Sequence, residues 1–68
     1  MEVVKMNADK ILDERSAAKL LGLSVFTLRN WRHQLRGPSY VKLGRSVRYR
    51  LEDLENFISG SRVNRQAG

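Results

Sequence analysis

The stretch that decides the fold reads Ser24-Val25-Phe26-Thr27-Leu28-Arg29-Asn30-Trp31-Arg32-His33. Ser24 is suited to cap a helix with its side-chain oxygen. Apolar side chains then recur three and four residues apart, at Leu28, Trp31 and Leu35. We expect this apolar face to pack on a preceding helix, and we expect Gly37-Pro38 to end the helix, because proline cannot continue it.

The preceding helix is predicted to be short, about two turns. Asp13 offers a capping oxygen, and Glu14 in the first turn is favourable next to the positive end of the helix. Gly22 supplies the permissive backbone at which such a helix ends. Between them, apolar side chains follow at helical spacing, at Ala17, Ala18, Leu20 and Leu21.

After residue 39 the period changes from helical to alternating. Two apolar-polar alternations flank Gly44-Arg45, which predicts two antiparallel strands and a tight turn. The strands are Tyr40-Val41-Lys42-Leu43 and Ser46-Val47-Arg48-Tyr49. The apolar residues expected to face inward are Val41, Leu43, Val47 and Tyr49. Lys42 and Arg48 are expected to face outward, with Arg45 at the tip of this charged hairpin.

A third helix closes the predicted domain near Gly60. Its apolar stripe, expected to complete the core, consists of Leu51, Leu54, Phe57 and Ile58. The predicted fold is mainly α with a small β-hairpin, a winged helix-turn-helix in the order α-α-β-β-α over residues 11–60. Residues 1–10 are predicted to form an N-terminal arm, and residues 61–68 a disordered basic tail.

The aromatic residues are assigned to packing. Trp31 shares a register with Leu28, which favours a core position over stacking on a base. Tyr40 and Tyr49 alternate with charged residues in the strands, so that we expect them to support the hairpin.

Charge is concentrated in one part of the chain. Between Arg15 and Leu51 there are nine basic side chains and no acid, in a protein of net charge +6. All the acids lie outside this window, at Glu2, Asp9, Asp13, Glu14, Glu52, Asp53 and Glu55. Such a local field indicates a surface for a polyanion, most simply duplex DNA.

Composition excludes several other classes of protein. A chain of 68 residues is one small domain, and without cysteine it has no disulfide or thiolate metal site. Its one histidine, His33, has no co-ligand cluster, so we expect neither metal nor cofactor. There is no glycine-rich phosphate loop and no nucleophile-base pattern, which favours a non-enzyme. No segment is long and apolar enough to cross a bilayer, which predicts a soluble cytoplasmic protein.

Several separate motifs keep a familiar order and spacing over roughly residues 11–60. They are Leu12-Asp13, Ala17-Ala18-Lys19-Leu20-Leu21-Gly22-Leu23-Ser24, Thr27-Leu28, Trp31-Arg32, Gly37-Pro38, Lys42-Leu43-Gly44-Arg45, Val47-Arg48-Tyr49 and Asp53-Leu54. In these residues the chain resembles the excisionase and AlpA-like winged-helix family, which is related to MerR-type DNA-binding domains.

The resemblance implies a small accessory protein of a phage or mobile element. Such a protein binds and bends DNA near an attachment site and directs an integrase towards excision. Relatives also regulate transcription, and the spacing of the residues does not separate the two roles. We rank excision first because a dedicated regulator often adds a dimer or effector domain, which does not fit in this length. Self-association on DNA remains open.

In a helix-turn-helix the second helix enters the major groove, which places the candidate readers on it. The predicted DNA contacts of this recognition helix are Ser24, Phe26, Thr27, Arg29, Asn30, Arg32 and His33, with Arg29 and Arg32 the strongest choices. The predicted contacts of the hairpin, or wing, are Lys42, Arg45, Ser46 and Arg48, which would meet phosphate or the minor groove. Ser24 is expected to act mainly as the helix cap.

The sequence is also compatible with two other classes of function. In one, the third helix or the tail docks on an integrase or polymerase and the DNA contact is incidental. In the other, the chain binds RNA without sequence preference. This class is disfavoured because the aromatic residues of this chain are expected to be buried, whereas proteins that bind single-stranded nucleic acid usually display theirs on an open sheet.

Overall fold

The computed structural model describes residues 10–63, which form a helix-turn-helix with a three-stranded sheet. The elements are β1 (Ile11–Asp13), α1 (Glu14–Leu21), α2 (Val25–His33), β2 (Val41–Leu43), β3 (Ser46–Arg50) and α3 (Leu51–Gly60). The predicted winged helix-turn-helix is confirmed, with strand β1 added in front of it. Of the predicted arm only Lys10, and of the predicted tail only residues 61–63, lie within the described residues.

Both predicted helix starts are confirmed by their caps. The Ser16 backbone N–H donates a hydrogen bond to Asp13 Oδ1 at 2.8 Å. The Thr27 N–H likewise donates to Ser24 Oγ at 3.1 Å. Gly22 ends α1 in the left-handed conformation, with φ of 72°. Gly22 therefore ends α1 and Ser24 begins α2, so that a connection of only three residues, 22–24, holds the two helices against each other.

Helix α2 ends earlier than its sequence indicated. It stops at His33, and Leu35 then adopts φ of 57°. The N–H of Leu35 donates to the carbonyl of Arg32, and that of Arg36 to the carbonyl of Trp31, a closure that glycine usually makes. The prediction that Leu35 packs on α1 is therefore wrong, and its side chain is 92% exposed. Gly37-Pro38 follows the end of the helix instead of causing it.

The register of the hairpin corrects a second prediction. Strand β3 lies between β1 and β2 and is antiparallel to both. Lys42 pairs with Val47, and Leu43 pairs with Ser46. Lys42 therefore lies on the same face of the sheet as Val47 and not on the opposite face as predicted, although its side chain is exposed. Since paired residues share a face, Leu43 lies on the opposite face from Val47, and it is 55% exposed.

The same register places Val41 opposite Arg48, away from the face of Tyr49. The cause is the two-residue turn, which pairs odd-numbered positions of β2 with even-numbered positions of β3. Only the apolar residues of β3, Val47 and Tyr49, face the core as predicted. On β1, Leu12 pairs with Tyr49 and packs on the same side.

The core joins all three helices to this face of the sheet. Its fully buried hydrophobic side chains are Ala17, Ala18, Leu28, Tyr49 and Leu54. The packing role of Trp31 is confirmed, since its ring lies against Phe57 of α3 with centroids 5.6 Å apart. The stripe on α3 is narrower than predicted: Leu54 is buried, but Ile58 is half-exposed. Helix α3 packs mainly on β3 and α1, which leaves Ile58 uncovered.

We expect the substitution Gly37→Ala to destabilise the fold strongly. Gly37 has φ of 91°, and an added Cβ would lie 2.7 Å from Trp31 Cε3. Backbone strain and the clash with the indole should together lower the free energy of unfolding by about 2–4 kcal/mol, as measured by urea denaturation. The control is Gly60→Ala in α3, where an added Cβ meets nothing within 4 Å. It should be neutral or stabilise by up to about 1 kcal/mol, and equal losses in both variants would contradict the close approach of Gly37 to Trp31.

Candidate nucleic-acid interface

The side of α2 that faces away from the core carries four of the predicted recognition residues. Phe26, Arg29, Asn30 and His33 are all exposed, whereas Leu28 on the opposite side is fully buried. The Phe26 ring is 72% exposed and adds nothing to the core. Phe26 and Asn30 are four residues apart on a helix and are therefore neighbours. This face combines an apolar ring, an amide and a guanidinium in a small area.

The remaining predicted residues of the recognition helix are more engaged with the protein itself. Ser24 is the cap of α2, as expected, and its hydroxyl oxygen lies 3.1 Å from Thr27 Oγ1. Thr27 is half-buried. The side chain of Arg32 is only 18% exposed. These residues lie beside the outward face of α2 and are not part of it.

A single carboxylate, that of Glu14, holds both arginines of α2. Arg29 donates from Nη2 to Glu14 Oε2 at 2.7 Å, and its Nε lies 3.3 Å from each carboxylate oxygen. Arg32 donates from Nη2 to Glu14 Oε1 at 3.2 Å. On its other side, Arg32 Nη1 donates to Tyr49 Oη at 2.8 Å. The cluster Glu14-Arg29-Arg32-Tyr49 thus links α1, α2 and β3.

Electrostatics within the cluster follow from these contacts. Hydrogen bonds from Arg29 outweigh partial burial and, together with those from Arg32, lower the pKa of the Glu14 carboxyl. The contact with Glu14 in turn raises the pKa of Arg29. Burial opposes the charge on Arg32, but its contacts with Tyr49 and Glu14 outweigh that effect and raise its pKa. All three groups therefore stay charged at neutral pH.

The two tyrosines support the cluster from the hairpin side. The Tyr49 ring is buried and lies 6.1 Å from the Tyr40 ring, centroid to centroid. The Arg32 guanidinium carbon lies 5.7 Å from the centroid of the Tyr40 ring, within range of a cation–π contact. This arrangement agrees with the predicted role of both tyrosines as supports of the hairpin.

A groove between the start of α1 and the hairpin brings three of the predicted wing residues together. Arg45, Ser46 and Arg48 line it, next to Arg15 and Arg32. Asp13 and Glu14 contribute acid to the same groove. Lys42, the fourth predicted wing residue, is exposed on β2 and does not line it. Four guanidinium groups against two carboxylates leave the groove positive, which suits a phosphate backbone.

Arg48 is more constrained than the other wing residues. It lies next to Asp13 across the β1-β3 pair, and its Nη1 donates to the backbone carbonyl of Val47 at 2.9 Å. Arg45 lies at the turn and is exposed. The charge of Arg45 at the tip of the hairpin is therefore more accessible to a ligand than that of Arg48 in the middle of β3.

Two residues of this candidate interface were not predicted from the sequence. Glu14 was expected only to favour the end of its helix, yet it binds two arginines. Its partners are 15 and 18 residues away, and no periodicity relates positions so far apart. Arg15 was not chosen as a site residue, although it opens the acid-free window and lines the groove.

Among residues 10–63, no group of three or more histidine, cysteine, aspartate or glutamate side chains is arranged to hold a metal ion. Within the same residues, no helix has the length and apolar character needed to cross a membrane.

Comparison with known families identifies a helix-turn-helix family. A family model described as a helix-turn-helix domain matches residues 12–62, which is most of the chain and includes every element from α1 to α3. Among curated proteins, no sequence matches the chain.

We expect Tyr49→Phe to test the cluster without disturbing the core. The variant keeps the buried ring but removes the acceptor of the Arg32 hydrogen bond, and Arg32 is largely buried. It should lower the free energy of unfolding by about 1.5–3 kcal/mol, measured by urea denaturation. The matched control is Tyr40→Phe, because the Tyr40 hydroxyl bonds to no other described residue; it should change stability by less than about 0.5 kcal/mol. Equal effects in the two variants would show that the hydrogen bond does not stabilise the fold.

Proposed function

The chain belongs to the helix-turn-helix domain family of excisionase-like and AlpA-like proteins, and from this premise we propose that it recognises a specific sequence in duplex DNA. Its membership makes it a DNA-binding helix-turn-helix protein. The observation that carries the proposal is the outward face of α2, where Phe26, Arg29, Asn30 and His33 are exposed together. An exposed aromatic ring beside an amide and a guanidinium is of little use to folding but matches the chemistry of base edges.

We assign the contacts of α2 from this chemistry. The Asn30 amide is complementary to N6 and N7 of adenine, and the Phe26 ring to the methyl group of thymine. As neighbours on the helix, the two side chains would meet adjacent base pairs. The Arg29 guanidinium is complementary to O6 and N7 of guanine. Thr27 and His33 flank these readers, and the backbone amides near Ser24 are suited to a phosphate at the helix start.

We assign Arg32 a different role from the DNA contact that the sequence predicted. With 18% of its side chain exposed, it is bound on both sides by Glu14 and Tyr49. Reaching a base would break both contacts and leave Glu14 with one arginine. We therefore assign Arg32 to positioning the recognition helix relative to the hairpin, and not to base contact.

The hairpin and its groove supply the contacts to the DNA backbone. Arg45 and Lys42 are exposed, and Arg45, Ser46 and Arg48 line a positive groove that Arg15 extends. Contacts to phosphate raise affinity without reading sequence. If they and α2 together neutralise about five phosphates, log K should fall against log salt with a slope near −4 to −5.

For the biological role we propose excision. A small DNA-binding protein of this family would bind beside an attachment site in the cytoplasm, bend the duplex and help to seat an integrase. The support for this role is the family resemblance. Regulation of transcription uses the same contacts, and the location of the binding sites distinguishes the two roles.

Selection of binding sites from random duplexes tests both levels of the proposal. We expect one enriched sequence, and we expect its matches in the source genome to form repeats beside an integrase gene and attachment site. Matches at isolated promoters would replace excision with regulation. No enrichment would contradict sequence-specific readout by α2. A parallel selection on RNA, for which we expect no enrichment, tests the alternative nucleic acid.

The readers and the wing should respond differently to substitution. Asn30→Ala should relax the preference at one base pair, at a cost of about 1–3 kcal/mol for the selected duplex only. Arg45→Ala should weaken binding to selected and random duplexes alike and make the salt slope shallower by about 1. Asn56→Ala on the exposed side of α3 is the matched amide control and should change neither. Binding titrations at several salt concentrations measure these effects, and a loss of base preference in Arg45→Ala would contradict the division of roles.

A further inference from the structure

We propose that Glu14 is a specificity-determining residue: it holds the edge of the Arg29 guanidinium formed by Nε and Nη2, so that the terminal edge formed by Nη1 and Nη2 is presented to guanine and its attraction for phosphate is reduced. Glu14 touches no base in this scheme and acts through Arg29, as a positioning residue. The inference rests on the proposed function, since it assumes that Arg29 reads DNA. It adds a residue of α1, outside the recognition helix, to the set that decides base preference.

The geometry of the pair leaves the right donors free. Glu14 occupies the edge of the guanidinium formed by Nε and Nη2. A guanidinium has five N–H donors, so that both N–H groups of Nη1 and one of Nη2 stay available. One N–H of Nη1 and the remaining N–H of Nη2 form the terminal edge of the group, next to the edge that Glu14 occupies, and they suffice for a bidentate contact with O6 and N7 of guanine.

The exposed fractions of the Arg29 and Glu14 side chains agree with this hydrogen-bond geometry. The Arg29 side chain is 51% exposed, whereas Glu14 is 25% exposed and therefore lies deeper. The Arg29 side chain is therefore the more accessible partner of the pair, and it belongs to the outward face of α2. A base edge could approach Arg29 without displacing Glu14.

The carboxylate is itself held in place. Arg32 donates to Glu14 Oε1 and is fixed in turn by Tyr49 and by the ring of Tyr40. Glu14 is the first residue of α1, next to the capping residue Asp13, so that its backbone is also constrained. A carboxylate with this support restricts the rotamers of Arg29, which would otherwise be a long and mobile side chain.

Two consequences for DNA binding follow. A pre-oriented guanidinium loses less conformational freedom when it meets guanine, which strengthens the specific contact. At the same time, the adjacent negative charge offsets the attraction of Arg29 for phosphate, which weakens contact with random DNA. Glu14 therefore favours the selected sequence over all others in two ways.

The test is a double-mutant cycle on the full chain. Glu14→Gln removes the charge but keeps the size, and Arg29→Met removes the guanidinium. Affinities are measured for the selected duplex and for a duplex in which the guanine facing Arg29 is replaced. We expect Glu14→Gln to lower the ratio of the two affinities at least about fivefold, the lower end of what one bidentate contact is worth. In the Arg29→Met background, the same substitution should leave the ratio unchanged.

Glu55→Gln is the matched control, because it removes one exposed acid from α3, a helix that carries none of the proposed base readers. It should raise affinity for both duplexes by a similar factor and leave the ratio unchanged. An equal fall of the ratio in the Glu55→Gln variant, or in both Arg29 backgrounds, would overturn the proposal, since Glu14 would then act only by its charge. An unchanged ratio in Glu14→Gln would overturn it as well.

A measurement on the unaltered protein covers the case in which a variant does not fold. The Arg29 Nε–H should give a slowly exchanging signal in nuclear magnetic resonance spectra, and the signal should persist in the complex with the selected duplex. Its loss on binding would mean that Arg29 leaves Glu14 to reach DNA, which contradicts the proposal. Failure of the proposed function looks different: the unaltered protein would then enrich no sequence at all.

Discussion

The contact of Glu14 with Arg29 and Arg32 is the constraint on which the rest of the molecule depends. It joins the start of α1 to two turns of α2, and Arg32 extends the connection to Tyr49 on β3. An exposed ion pair contributes little stability, about 0–1 kcal/mol. Here, however, Arg32 is largely buried, so that loss of a partner would leave a charge without compensation. The cluster therefore fixes α2 relative to the hairpin, the two parts that we propose to contact one duplex together.

The apolar core is small, which explains why a polar cluster is needed to fix α2 relative to the hairpin. Apart from Pro38, only five hydrophobic side chains of the described residues are fully buried, and two of these are the alanines Ala17 and Ala18. Small side chains let α1 approach the rest of the fold closely, but they bury little area. The hairpin adds few apolar contacts to the core, since Val41 and Leu43 lie on the face away from it. Its position is then set mainly by Tyr49, whose ring packs in the core while its hydroxyl binds Arg32.

Local signals predicted most of the fold, and long-range pairing accounts for what they missed. Asp13, Gly22 and Ser24 act where their side chains or backbone preferences indicated, because a cap depends on neighbours within a few residues. The inward placement of Leu43 failed although the information was present: a two-residue turn at Gly44-Arg45 places it opposite Ser46, and counting across the turn would have revealed this. Leu35 was assigned by helical period, but the chain had already left the helix through a positive φ that leucine rarely adopts. Glu14 is a different case, since nothing in the sequence relates it to Arg29 before the chain is folded.

Within the acid-free window, two pairs of basic residues therefore differ in a way that composition alone does not distinguish. Arg29 and Arg32 are bound to a carboxylate, and their positions are defined before any ligand arrives. Arg45 and Lys42 are exposed on the hairpin. A defined guanidinium suits a contact that must discriminate between bases, because a small displacement breaks a bidentate pair. A side chain without a fixed position suits contact with phosphate, because phosphates recur along the duplex and such a contact tolerates small displacements. In the proposed interface, Glu14 thus does more than reduce the positive charge: the arginines that it binds are assigned to specificity and to positioning, and the basic residues that it does not bind are assigned to affinity.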